Sequence, residues 1–228
     1  MRVKPFGITV VTAALLAACS GDSTGPAVER NNPGTGSSTL LVTADVDASD
    51  VPGGFVTDLD VSVRDALGAP ISGATVTIAN AAFGVVTLLE TGVGTGDYDA
   101  TRNSFPGGDF ALNVVRGTDN VRDIVVGGPG VHTITGPVIN ATVSNQQPLT
   151  VTWTVPSQAK SAEVETLDFG PWVMFDNGVF QIPVASNPAR ADQRIRVFRF
   201  NELEIAGGLP GSRLRVEIRQ TIEPIIVQ

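Results

Sequence analysis

The sequence predicts an all-β protein: two antiparallel β-sandwiches in tandem, behind an export signal and a flexible tether. Three observations predict it. Apolar and polar residues alternate at period two through most of the ordered stretches, as half-buried strands require. The chain carries 25 Gly and 15 Pro, set as turn signals between those stretches. Apolar residues make up 42% of the composition, enough for a core, while Lys, Met and Gln, which favour helices, are few. The roughly 190 to 200 residues left after the export signal suffice for one large β domain or two ordinary ones.

Residues 1–18 read as the export signal. Arg2 and Lys4 precede an uncharged, mostly apolar run from Ile8 to Ala18 that ends in small residues. As a helix this run reaches only about half of the ~30 Å hydrocarbon thickness, so it is too short for a permanent span. Cys19 follows and is the only cysteine, so an intramolecular disulfide is excluded. Leu16, Ala17, Ala18 and Cys19 resemble the bacterial lipobox, and the resemblance implies that Cys19 is lipidated and becomes the mature N-terminus. Several acyl chains imply an effectively permanent membrane anchor, and Ser20 directly after the cysteine implies sorting to the outer membrane. The competing reading is a plain secretory signal with an incidental cysteine. Residues 19–38, rich in Gly, Pro, Ser and Asn and nearly devoid of large apolar side chains, read as a flexible tether.

The first sandwich is expected over residues 39–135. "TLLVTADVDA" from Thr39 opens it, and "FVTDLDVSVRD" follows with Val56, Leu59, Val61 and Val63 as the apolar positions. "ALGAPISG" supplies a tight reversal before "GATVTIAN". The stretch "VSVRDALGAPISGATVTI", from Val61 to Ile78, resembles the opening hairpin of carboxypeptidase-regulatory-like Ig-like modules, and "TGDYDATRNSFPGGDFALNVVRG" resembles their later strands, with Phe110, Leu112 and Val114 on one face. That resemblance covers Leu40 to Thr133. It implies a seven-strand or similar antiparallel sandwich, non-catalytic despite the family's name.

The second sandwich is expected over residues 136–228. "LTVTW" ahead of "TVP" resembles the early strands of fibronectin type III domains, which implies a core role for Trp153. "QRIRVFRFNELEIAGGLPGSRLRVEIRQ" reads as two strands around a Gly-rich turn, with Leu214, Val216 and Ile218 inward and Arg213, Arg215, Glu217 and Arg219 outward.

Few residues suggest chemistry. His132, the only histidine, has no G-x-S-x-G elbow to serve, so a structural place at a strand end is expected. A zinc site built on His and Cys is excluded by count. Asp45, Asp47, Asp50, Asp58 and Asp60 are oxygen ligands of a kind suited to Ca²⁺, yet lack the order of an EF-hand loop, so solvent-facing placement is the stronger expectation. Asp97 and Asp99 share one strand face and are the carboxylate pair on which a hydrolase would rest. Twelve acids stand against four Arg from Leu40 to Thr133, and seven Arg against four acids from Arg190 to Arg219. The arginines suit either an anionic partner or a charged strand face that discourages aggregation. Trp172 and Phe175 read either as the cap of a sandwich core or as an exposed platform for a carbohydrate.

The expectation is therefore a non-catalytic lipoprotein without a cofactor, anchored in the outer membrane through Cys19, acting as a binding or structural module for an envelope protein or polysaccharide. An accessory subunit of a transport or secretion complex is the alternative, and a hydrolase using acidic residues a weaker one. A net charge of −8 argues against nucleic acid as a partner.

Overall fold

The computed structural model describes residues 31–104 and 107–228. The export signal, Cys19 and the start of the tether lie outside the described residues. The rest is all-β, in a sandwich arrangement, and the described residues contain no helix. None is long and apolar enough to cross a membrane as a helix.

The expected first strands form where alternation is strongest. β2 (Leu41–Val51) and β3 (Gly54–Arg64) pair in full register through a turn at Pro52 and Gly53. Val42, Ala44 and Val46 from β2 meet Leu59, Val61 and Val63 from β3 in the core. The expected inward place of Val56 falls to Thr57 instead, which is fully buried and donates its hydroxyl to the Ser104 carbonyl at 3.2 Å. The inward phase of β3 is odd, so Val56 lies on the other face. β4 (Thr75–Asn80), β5 (Gly84–Glu90), β6 (Asp97–Arg102), β7 (Asp109–Arg116) and β8 (Asp119–Gly127) complete the expected module. Phe110, Leu112 and Val114 are all buried as the alternation requires. Tyr98 fixes the reversal after β3: its hydroxyl donates to the Ile71 carbonyl at 2.8 Å and accepts the Ala74 N–H at 2.9 Å.

The tether is shorter than composition suggests. Asn32–Gly36 forms β1, antiparallel to β8, with Asn32 opposite Val125 and Gly36 opposite Val121. A strand edge needs backbone N–H and C=O groups, not apolar side chains, and so accepts this segment. Its glycines serve close approach here: a Cβ on Gly36 would stand 2.4 Å from the carbonyl oxygens of both Asn120 and Gly207.

The second half contributes β9 (Ile134–Gly136), β10 (Thr142–Val143), β11 (Leu149–Trp153), β12 (Ser161–Thr166), β13 (Trp172–Met174), β14 (Val179–Ile182), β15 (Arg190–Glu204) and β16 (Arg213–Val227). A three-stranded sheet, β14-β11-β9, faces the larger sheet across a second core that holds Trp153, Val151, Val164, Ile195 and Val197.

The expected boundary near residue 135 does not part the two cores. A single 13-stranded sheet runs through both halves because β16 pairs in parallel with β2, from Arg213 opposite Thr43 to Arg219 opposite Ser49. Leu203, Ile205, Leu214 and Val216, all from the C-terminal hairpin, pack into the first core. Each 15-residue strand of that hairpin is long enough to span both cores.

Candidate functional site

The inward row of β15 shows how the halves are joined. Ile195 and Val197 enter the second core, Leu203 and Ile205 at its end enter the first, and between them Arg199 and Asn201 point to the same side. The alternation that places Ile195 and Val197 inside also places Arg199 inside, so the signal for a buried arginine was present in "IRVFRFN". Sequence reading assigned the arginines collectively to an exposed stripe and missed it.

Arg199 is fully buried. Its Nε–H donates to Asp176 Oδ2 at 2.8 Å, and its Nη1 donates to the carbonyls of Pro129 at 2.6 Å and Gly130 at 3.1 Å. Nη2 reaches Asp176 Oδ2 at 2.6 Å and the Ser157 carbonyl. Every N–H of the guanidinium thus has an acceptor, the condition under which a buried charge is tolerated. The other oxygen of Asp176 accepts the indole N–H of Trp153 at 2.9 Å. Asn201 donates to the Gly127 carbonyl at 2.8 Å and accepts the Lys160 N–H at 2.7 Å. This polar waist fastens the segment after β8 to the second half.

His132 belongs to the waist. It is fully buried, with Nε2 3.0 Å from the Val197 carbonyl. A carbonyl only accepts, so Nε2 carries the proton and Nδ1 is the bare nitrogen. Burial and the nearby Arg199 hold the imidazole down to about 4. It is neutral at physiological pH and closed to solvent, which places it apart from any substrate.

The acidic residues lie on strands. On the outer face Asp45 stands opposite Asp60, Asp47 opposite Asp58, and Asp60 opposite Asp99. Burial, then Glu217 and Asp45, push the Asp47 carboxyl up to about 6, and burial with Asp58 and Asp99 raises Asp60. Asp45 is held by Arg213 through two N–H groups at 2.7 and 3.1 Å. No three His, Cys, Asp or Glu side chains among the described residues are grouped to hold a metal. Asp45, Asp47, Asp50, Asp58 and Asp60 thus lie on two paired strands rather than in a single loop. Nor do Asp97 and Asp99 act as a pair: Asp97 is bonded to Arg64 at 2.6 Å, and Asp99 faces Asp60.

The arginine stripe is largely paired within the chain. Arg190 bonds Asp168 and Asp192, Arg196 bonds Glu165, Arg215 bonds Glu217, and the Arg215 guanidinium also lies 3.8 Å above the Phe200 ring.

Trp172 and Phe175 are exposed rather than enclosed, at 55% and 65% of their surface. β13 ends the large sheet and β14 ends the small one, so the turn that joins them sets both edges on one side. Trp172 lies nearly parallel to Phe180, 26° and 6.4 Å between centroids, and Phe180 is 5.9 Å from Phe169. Phe169 and Phe180 pack on the second core, so the core holds the inner end of the row while Trp172 reaches solvent. Val173 and Val179 are also exposed. Exposed edges are ordinarily blunted by charge; Trp172, Val173 and Met174 carry none.

The topology is that of an all-β protein with its sheets in a sandwich arrangement. No protein-family model matches the chain, and no curated protein matches it. Among solved structures it is similar to the Yersinia pseudotuberculosis adhesin InvE, at 15% identity and a TM-score of 0.29, over 82% of this chain and 60% of that one. It is also similar to the Clostridium thermocellum CbhA fibronectin(III)-like modules, at 13% identity and a TM-score of 0.25, over 78% of this chain and 92% of that one. The chain spans less than two thirds of the adhesin chain's length. Likeness at this level carries no functional argument.

Proposed function

We propose that this chain is a non-catalytic binding or structural module of the cell envelope, held at the outer membrane by acyl chains on Cys19. In this reading the β13–β14 edge meets a protein or glycan partner. The observation that carries it is the aromatic row Trp172 on Phe180 on Phe169, with Trp172 more than half exposed at an uncharged strand edge, and Phe175 exposed just beyond that strand. Contiguous exposed apolar surface of this kind marks interaction sites, and aromatic residues dominate binding energy at interfaces. The polar waist supports the same reading, since it ties the segment after β8 to the second half. The groups on which acid–base chemistry would rest are occupied by structural ties: His132 by the Val197 carbonyl, Asp97 by Arg64. Crosslinking in intact envelopes tests the proposal, by comparing what the wild type and a Trp172→Ser, Phe175→Ser variant capture.

A further inference from the structure

The large sheet has two ends, and the chain treats them differently. At one end β1 is covered on its outer side: the Pro33 carbonyl accepts the Ala206 N–H at 2.9 Å and the Ser38 N–H just past β1 donates to the Gly207 carbonyl at 3.0 Å, so the turn between β15 and β16 lies against it. At the other end stands β13. It pairs with β12, with Trp172 opposite Val164, Val173 opposite Glu163 and Met174 opposite Ala162, and among the described residues no strand lies beyond it. A strand paired on one side only leaves alternate N–H and C=O groups unused on the other, which is a template for a further strand. None of the usual obstacles to such a strand stands within β13: it carries no charge, no Pro and no break in register.

The two faces of β13 differ. Trp172 and Met174 lie on the inner side, opposite the buried Val164 and Ala162, with Trp172 in the aromatic row. Val173 lies on the outer side, exposed, with Glu163 as its cross-strand neighbour. Glu163 is half-buried and lacks a countercharge of its own. The arginines on the same face are committed elsewhere: Arg196 bonds Glu165, while Arg215 bonds Glu217 and covers the Phe200 ring. No hydrogen bond or salt bridge among the described residues reaches Glu163. Burial and the Glu217 carboxylate push its own carboxyl up, and Arg215 offsets only part of this.

We infer that the partner of this edge is an extended polypeptide that adds to β13 as a strand, with apolar residues beside Trp172 and Met174 and a Lys or Arg opposite Val173. The inference rests on the reading of the β13–β14 edge as an interaction site, and names its occupant. The unused main-chain groups of β13 match another main chain, and Glu163 matches a cation; a neutral glycan supplies neither. On the guest strand, the residue opposite Val173 stands about 10 Å, two strand spacings, from Glu163. A long basic side chain passes over the short valine and closes that gap, whereas an acidic one would add to the repulsion that Glu163 already meets.

Fluorescence anisotropy with the purified full chain in detergent tests the inference with labelled heptapeptides. The probes are Thr-Val-Lys-Val-Lys-Val-Thr, its counterpart with Glu in place of Lys, and the Lys peptide N-methylated on its five central residues, which removes the N–H groups from both of its edges. The Lys peptide is expected to bind about tenfold or more tightly than the Glu peptide, with affinity falling as salt rises. Glu163→Gln should narrow that ratio, the N-methylated peptide should not bind, and amide exchange across Trp172–Met174 should slow when the Lys peptide is present. Absence of binding by the Lys peptide, or equal binding by its N-methylated form, overturns strand addition. Equal affinity for the Lys and Glu peptides overturns the role of Glu163, and this ratio on the wild type decides even if Glu163→Gln fails to fold. Binding of cellohexaose with the peptides silent gives the edge to a glycan: it overturns this inference and leaves the proposed function standing, which fails only if capture from envelopes does not depend on Trp172 and Phe175.

Discussion

Arg199 and Asp176 meet at 2.6 Å with both side chains sealed from solvent, and around this pair the two β-sandwiches become one body. The pair closes on backbone carbonyls from the segment after β8 and on the indole of Trp153, so its loss disturbs both cores together.

Asp176→Ala is expected to cost about 3 to 5 kcal/mol, because it leaves Arg199 buried and charged without its partner. The double variant Asp176→Leu, Arg199→Met should cost less than the single one, since it removes the stranded charge. Urea unfolding measures both. It should also show a single transition for the wild type, because the two cores share β15 and β16; two separate transitions would contradict the shared hairpin.

Stability against pH should carry two opposed contributions. Asp47, held up to about 6 against an ordinary 3.8, binds its proton more tightly when folded, so its contribution falls as pH rises from about 4 to about 6 and the deficit is complete above that. His132, held down to about 4 against 6.5, contributes stability that is full above pH 6.5 and lost as pH falls toward 4. Asp47→Asn should therefore stabilise the protein by ~1 to 2 kcal/mol at pH 7.5 and have almost no effect near pH 4. An equal effect at both values would mean that Asp47 is not desolvated among Glu217 and Asp45.

Gly36→Ala should detach β1. The added Cβ would meet two backbone carbonyl oxygens at 2.4 Å, and overpacking against backbone typically costs 1 to 3 kcal/mol. Amide exchange reads it locally: the Ser37 N–H, bonded to the Asn120 carbonyl at 2.9 Å, should lose protection while β7 keeps its own.

Much of this was legible in the chain, for reasons specific to each element. Leu214, Val216 and Ile218 announced an inward face because they alternate without interruption, and Phe110, Leu112 and Val114 likewise. β1 was not legible: "NPGTG" contains nothing to bury, and only the free edge of β8, far away in sequence, makes it a strand. The merging of the halves was also hidden, because the partner of β16 is β2, and nothing local to either strand names the other. Arg199 was readable in principle from its phase on β15. Whether Trp172 caps a core or faces water was not, since that depends on which strand lies beyond β13.

The anchor has its own test. If Cys19 carries the lipid, Cys19→Ser should move the protein from the membrane fraction to the soluble fraction, and retention of that variant in the membrane would refute lipidation there.

The central claim, that the β13–β14 edge is where this module meets its partner, is tested most directly by quantitative crosslinking and capture from intact envelopes with wild type and the Trp172→Ser, Phe175→Ser variant side by side. At equal expression and equal Tm, a defined protein or glycan should be recovered with the wild type and fall by at least about tenfold with the variant, as loss of exposed aromatic anchors predicts. Recovery of the same partner in equal amount with both would contradict the account.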